Sequence, residues 1–243
     1  MTIKLDNGTS INYEVYGMGQ RLLILHGWGE NLRTFDPVTT VLSRNFQLIL
    51  IDLPGFGQSS VLPHPFTLDD YALTVEKFLA ALEISEVFVL GHSFGGAIAV
   101  KLAIFSNKVR RLILEDSSGI RNKSLSIKFK IYIYKTLKLI LSEKYREKLR
   151  RILGSSDYHS AGVLRSTLVK VVSEDLQYVV SKIAIPTLLI WGRNDKETPI
   201  AQAQIMKNEI KNSTLHIIDG VGHFPHLEKP AEFTNVVNEF LKD

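Results

Sequence analysis

The chain has 243 residues, 45% of them apolar, and a formal charge of +4, which suits one large domain with a sizeable core. It contains no cysteine, so disulfides, thiolate catalysis and cysteine-ligated metal are excluded. No apolar run approaches the roughly 18 residues of a transmembrane helix, and MTIKLDNGTSINYEVYG lacks the apolar segment of a secretory signal, so a soluble cytoplasmic protein is expected.

In chain order, residues 3–5 and 10–16 predict an antiparallel hairpin across Asn7-Gly8. Apolar runs follow at 21–25 (RLLIL), 46–51 (FQLILI), 87–90 (VFVL), 109–114 (VRRLIL), 187–191 (TLLIW) and 214–218 (TLHII). Several are continuous rather than alternating, as in central strands covered on both faces. Helical patterns lie between them at 68–82, 95–105, 201–208 and 230–241, which predicts a mostly parallel α/β sheet. The rhythm breaks after Gly119. IKFKIYIYKTLKLIL and SEKYREKLRRIL read as helices, the second with Ser142 as a candidate cap, and AGVLRSTLVKVVSEDLQYVV adds one or two more segments. The expected organisation is a core of residues 1–120 and 181–243 with a helical insertion at 121–180.

That insertion is basic. Residues 121–151 carry eleven Lys or Arg against two Glu, a net charge of +9. Two readings stand: a solvated face, or an amphipathic segment with weak affinity for anionic or lipidic surfaces.

The stretch VFVLGHSFGGAIAV places Ser93 between a strand and a helix of small residues, with Gly91 and Gly95 two positions to either side. Such a serine sits at the carboxyl edge of a parallel sheet, and the flanking glycines permit the sharp turn of a nucleophile elbow. A hydroxyl needs a base and an orienting acid to become a useful nucleophile. His223 follows an apolar run on a loop marked by Gly220 and Gly222, with His226 as its rival. Asp195 follows the run ending at Trp191, with Asp116 in LILEDSSG as its rival. The order Ser93, Asp195, His223 is that of one sheet-based hydrolase architecture. Two backbone N–H groups, of Phe94 and of Trp28 in LLILHGWGEN, are the expected oxyanion donors. Trp28, Leu53, Phe94 and Phe224 are candidate pocket walls. His26, His92 and Asp52 read as structural residues beside these loops.

Five ordered blocks carry a family resemblance: His26-Gly27-Trp28-Gly29, Asp52 to Ser59, Gly91 to Gly96, Trp191 to Asp195, and Gly222 to His226. Together they resemble the α/β-hydrolase superfamily over nearly the whole chain. The resemblance implies a mostly parallel eight-stranded sheet flanked by helices, with the insertion as a small cap over the site. It is similar to small serine carboxylesterases, which implies an ester substrate and no cofactor or metal. Carbon–carbon bond hydrolases of meta-cleavage products and cofactor-free haloperoxidase or lactonase-like members share the same three residues and stay open, as does a ligand-binding protein on this fold. Serine at position 93, where related dehalogenases carry aspartate, disfavours dehalogenation. Trp28 in the first Gly-rich turn blocks the close backbone approach that a dinucleotide needs. No nucleic-acid reading module is present. A monomer or a homodimer is expected.

Overall fold

The computed structural model describes residues 1–121 and 161–242. Its centre is one eight-stranded sheet in the order β1-β2-β4-β3-β5-β6-β7-β8. The strands are β1 (Thr2–Lys4), β2 (Ser10–Tyr16), β3 (Gln20–Leu25), β4 (Phe46–Ile51), β5 (Val87–His92), β6 (Val109–Glu115), β7 (Thr187–Gly192) and β8 (Ser213–Ile218). β1 and β2 form the expected hairpin, β2 pairs antiparallel with β4, and every remaining pair is parallel. This is the α/β-hydrolase sheet that the resemblance implied.

The continuous apolar runs are explained by burial on both faces. Leu23, Leu25, Val89, Leu112, Leu114 and Leu189 point to one core, and Leu22, Ile24, Leu48, Leu50, Leu90 and Ile113 to the other. Truncating one of these buried leucines to Ala costs about 2–5 kcal/mol. The first core lies under α2 (Leu68–Ala81), α3 (Phe94–Phe105) and α5 (Ile200–Glu209), and the second under α1 (Asp36–Leu42) and α7 (Pro230–Lys242). Thr67 starts α2 with a capping box, its side chain accepting from the Asp70 N–H while the Asp70 carboxylate accepts from the Thr67 N–H.

Between β6 and β7, Gly162–Leu164 forms a 3-10 turn and Arg165–Ser173 forms α4. Two more 3-10 turns follow, Leu176–Tyr178 and Val180–Lys182. This helical insertion is fastened to the start of α2: the Phe66 N–H donates to Thr167 Oγ1 (3.2 Å) and the Leu68 N–H to Glu174 Oε1 (3.0 Å). The helices expected over IKFKIYIYKTLKLIL and SEKYREKLRRIL, and most of the basic stretch, lie outside the described residues. Among the described residues no helix is long and apolar enough to cross a membrane.

Parallel strands send their connections out from one edge. Ser93, Asp116, Asp195 and His223 all follow strand ends at the carboxyl edge of the sheet, so the topology alone brings them near one another.

Candidate active site

β5 runs directly into α3, and Ser93 is the hinge. Its backbone has φ 49° and ψ −111°, a conformation that costs a non-glycine residue about 1–3 kcal/mol. The neighbours explain how the chain can turn there. A Cβ on Gly91 would lie 2.4 Å from the Gly95 carbonyl oxygen, and one on Gly95 would lie 2.3 Å from that of Leu25. Only glycine permits these approaches. The turn is held by the Ser93 N–H, which donates to the Glu115 carbonyl (2.9 Å), and by the Ser93 carbonyl, which accepts from the Ser118 N–H (3.0 Å).

His223 sits on the loop after β8, nearly buried. Its Nε2 lies 3.0 Å from Ser93 Oγ, and its Nδ1 lies 2.8 Å from Asp195 Oδ2. The carboxylate can only accept, so Nδ1 carries the proton and Nε2 is left to accept from the hydroxyl. Asp195 sits on the loop after β7. It also accepts from the Glu197 N–H (2.7 Å), the Thr198 N–H (3.1 Å) and the Thr198 hydroxyl (2.6 Å). Burial works against its charge. Hydrogen bonds from His223, Thr198 and Asp116 overcome that and hold the carboxyl well below the ordinary range. For His223, burial lowers the basicity, but Asp195, with Glu197 and Glu115 behind it, turns the balance upward. Glu197 Oε2 stands 3.5 Å from His223 Nε2.

Ser93 opens into a cavity of about 320 Å³. Trp28, Phe94, Leu68, Ile120, Leu168 and Val171 supply apolar lining, and Glu197, Arg121 and Gln202 supply polar groups. The Trp28 and Phe94 rings meet edge to face at 5.2 Å. Phe94 opens α3, where backbone N–H groups have no intrahelical acceptor. Trp28 lies in a turn closed by Glu30, whose carboxylate accepts from the Gly27 N–H (3.1 Å). Two expected pocket residues are placed elsewhere. Leu53 is fully buried in the core, its N–H donating to His26 Nε2 (2.9 Å). Phe224 packs against the rings of His92 and His223 rather than lining the cavity.

The remaining polar residues have distinct placements. His26 is buried between the Gly27 carbonyl, which accepts from Nδ1 (2.8 Å), and the Leu53 N–H; burial lowers its basicity. Asp52 ties three loops by accepting from Asn12 Nδ2, the Leu32 N–H and the Gln58 N–H. Asp116 is buried beside Asp195, accepts from the Gly192 N–H (3.1 Å) and has φ 39°. Burial first, then hydrogen bonding to Asp195 and the charge of Glu115, push it up to about 10. His226 is turned away from Ser93 and hydrogen-bonds Glu115 through Nδ1 (2.8 Å). Glu115, Glu30, Glu197 and Thr198 are residues that sequence reasoning passed over. Glu115 alone had a visible signal, a carboxylate at the end of an otherwise apolar strand. Among the described residues, two groups of side chains have ligand atoms within 4.8 Å of one another, as a metal would need: His92, Glu115 and His226, and Asp116, Asp195 and His223. In the second, the His223 nitrogens are already engaged by Asp195 and Ser93.

Residues 22–236 match the alpha/beta hydrolase family. An uncharacterized protein of Mycobacterium tuberculosis is 30% identical, the match covering 94% of this chain and 77% of that one. The pimeloyl-[acyl-carrier protein] methyl ester esterase of Aeromonas hydrophila is 25% identical over 96% of this chain and 99% of its own. A crystal structure of a hydrolase from Pseudomonas aeruginosa superposes with a TM-score of 0.79 at 24% identity, over 100% of this chain and 98% of the other. With a family match that spans most of its length, the chain belongs to the alpha/beta hydrolases.

Proposed function

We propose that the protein is a serine hydrolase that cleaves carboxylic esters of small or medium, largely apolar substrates through an acyl-enzyme on Ser93. One observation carries the reading. The Ser93 hydroxyl, the His223 ring and the Asp195 carboxylate form an unbroken line of hydrogen bonds, 3.0 and 2.8 Å long, that ends in a mostly apolar cavity. The esterase relative from Aeromonas points to the same bond type.

In this mechanism His223 Nε2 takes the hydroxyl proton as Ser93 Oγ forms a bond to the ester carbonyl carbon. Asp195 keeps the ring oriented and balances the imidazolium charge. The Phe94 and Trp28 N–H groups hold the oxyanion, each donor contributing about 3 kcal/mol in the transition state. The ester C–O bond then breaks and the leaving alcohol takes the proton from His223. Water gives its proton to His223, attacks the acyl carbon, and the acid leaves as the proton returns to Ser93. The described part of the insertion supplies Leu168, Val171 and Val172 to the cavity wall, as a cap would. The acyl part is held by Trp28, Phe94, Leu168 and Val171. Arg121, Glu174 and Glu197 also line the cavity, and the uncharged acyl part is placed against its apolar residues.

The test is intact-mass analysis after a fluorophosphonate, with a p-nitrophenyl ester chain-length series run in parallel. We expect one adduct on Ser93, none in Ser93→Ala, and a rate optimum at short or medium acyl chains. An accessible, folded enzyme without an adduct on Ser93 would overturn the assignment.

A further inference from the structure

Behind the Ser93–His223–Asp195 line lies a second row of acids and bases. Glu30, His92, Glu115 and His226 alternate along it. Glu30 Oε1 is 3.6 Å from His92 Nε2, and His92 Nδ1 is 3.7 Å from Glu115 Oε2. Glu115 Oε1 then accepts from His226 Nδ1 (2.8 Å) and from the His226 N–H (2.9 Å). His92, Glu115 and His226 are fully buried. Three such groups in a core, with the partly exposed Glu30 beside them, are costly unless they offset one another. They do so in part: burial alone would raise Glu115 and Glu30, yet His226 and His92 lower the first, and His92 with the Gly27 N–H brings the second to about 2, while the His92 ring nitrogens, Glu115 Oε2 and His226 Nε2 have no hydrogen-bond partner among the described residues.

Each member is attached to a different part of the proposed machinery. Glu30 closes the turn that presents the Trp28 N–H, by accepting from the Gly27 N–H. His92 immediately precedes Ser93. The Glu115 carbonyl accepts the Ser93 N–H (2.9 Å) while its carboxylate holds His226. His226 lies in α6 (Pro225–Glu228), directly after His223, and its ring stacks on Phe35 at 4.2 Å. The His92 and His223 ring centroids are 4.9 Å apart. The oxyanion turn, the nucleophile and the base come from segments far apart in sequence, and the row joins all three.

We infer that Glu30, His92, Glu115 and His226 form a positioning row that sets the oxyanion turn and the His223 loop against Ser93. This rests on the serine reading above but assigns residues that it does not use. The row acts through geometry, so its loss slows the acyl-transfer step and leaves substrate affinity intact. A misplacement near 1 Å at reacting atoms costs up to about a hundredfold in rate.

The experiment uses Glu30→Gln, Glu115→Gln and the double variant of the full chain. Glu30→Gln keeps an acceptor for the Gly27 N–H and removes only the charge facing His92. We expect kcat to fall roughly tenfold in each single variant, with KM within about twofold, and affinity for a boronic-acid transition-state analogue to fall in step with kcat. Glu30 and Glu115 face opposite nitrogens of His92, so their effects on unfolding free energy should be non-additive in a double-mutant cycle. Wild-type kcat and boronate affinity in both folded single variants would overturn the inference. So would a rise in KM with kcat unchanged, or strictly additive stability effects. If the wild-type protein takes no fluorophosphonate label, the serine reading has failed, and the stability cycle still decides whether the row exists.

Discussion

Asp116 and Asp195 follow neighbouring strands, β6 and β7, lie buried beside each other, and face opposite fates. Asp195 accepts from two backbone N–H groups, a threonine hydroxyl and His223, and its charge is held firmly. Among the described residues the Asp116 carboxyl accepts only from the Gly192 N–H and has Glu115 and Asp195 for company, so it keeps its proton far above the ordinary range. Both are carboxyl groups at a sheet edge, and the count of donors separates them. Adjacency to a strand end therefore nominates an acid, and the supply of N–H and O–H groups chooses one.

The sharpest way to break this contrast is to neutralise each acid in turn. On the proposed mechanism Asp195→Asn should lower kcat by about 10⁴-fold, because the amide NH2 can donate to Nδ1 and so favours the tautomer with its proton on Nε2, which cannot accept from Ser93. Asp116→Asn should keep most of the rate, since an amide can accept from the Gly192 N–H and donate toward Asp195 as the protonated carboxyl does. Steady-state kinetics on one ester would show it; equal losses would end the distinction. Next in size is Asp116→Leu, which leaves the Gly192 N–H buried without an acceptor. It should cost about 1–3 kcal/mol in a denaturant titration.

Two smaller effects sharpen the comparison through pH. On the proposed mechanism His223 must be neutral to accept the serine proton, and its value is raised, so kcat/KM should fall as pH drops through a midpoint above 6.5. Glu197→Gln removes one of the carboxylates that raise it, and the midpoint should move to lower pH. The last effect is on stability. Asp116 holds its proton when folded up to about 10 but loses it near 3.8 when unfolded. Between those values the native state binds more protons, so its stability falls as pH rises. Asp116→Asn should therefore gain in Tm over the wild type as pH increases from about 4 toward 10, with no gain below that window.

Much of the fold could be read from the chain before its structure. The strands at 10–16 and 46–51 have the predicted bounds, β1 is shifted by one residue, and the other five extend by a residue or two because polar or small residues at their ends, His92 and Glu115 among them, still pair in the sheet. Binary pattern cannot include a buried His or Glu in a strand when its partner lies 111 residues away, as for Glu115 and His226. The Ser93, Asp195 and His223 segments were visible because each follows an apolar run and carries turn residues. Leu53 looked like a pocket wall because its loop is near the site in sequence order, yet its side chain turns into the core. Glu197 and Thr198 had no local signature; their placement follows from how the loop after β7 wraps the Asp195 carboxylate. The row through His92 was the least visible part, since all of its contacts are long-range.

The hydrogen bond between Ser93 and His223 spans 130 residues. On the proposed mechanism, a chain emerging from the ribosome thus displays its serine elbow long before the base exists to take the proton. β8 and the loop after it are made after the other seven strands, and β7 cannot complete its pairing until they arrive. The hydroxyl is accordingly no better than an ordinary alcohol throughout translation. On the proposed mechanism reactivity waits for the His223 loop, so a fragment that stops before it, even with an intact GHSFGG stretch, should be inert toward esters.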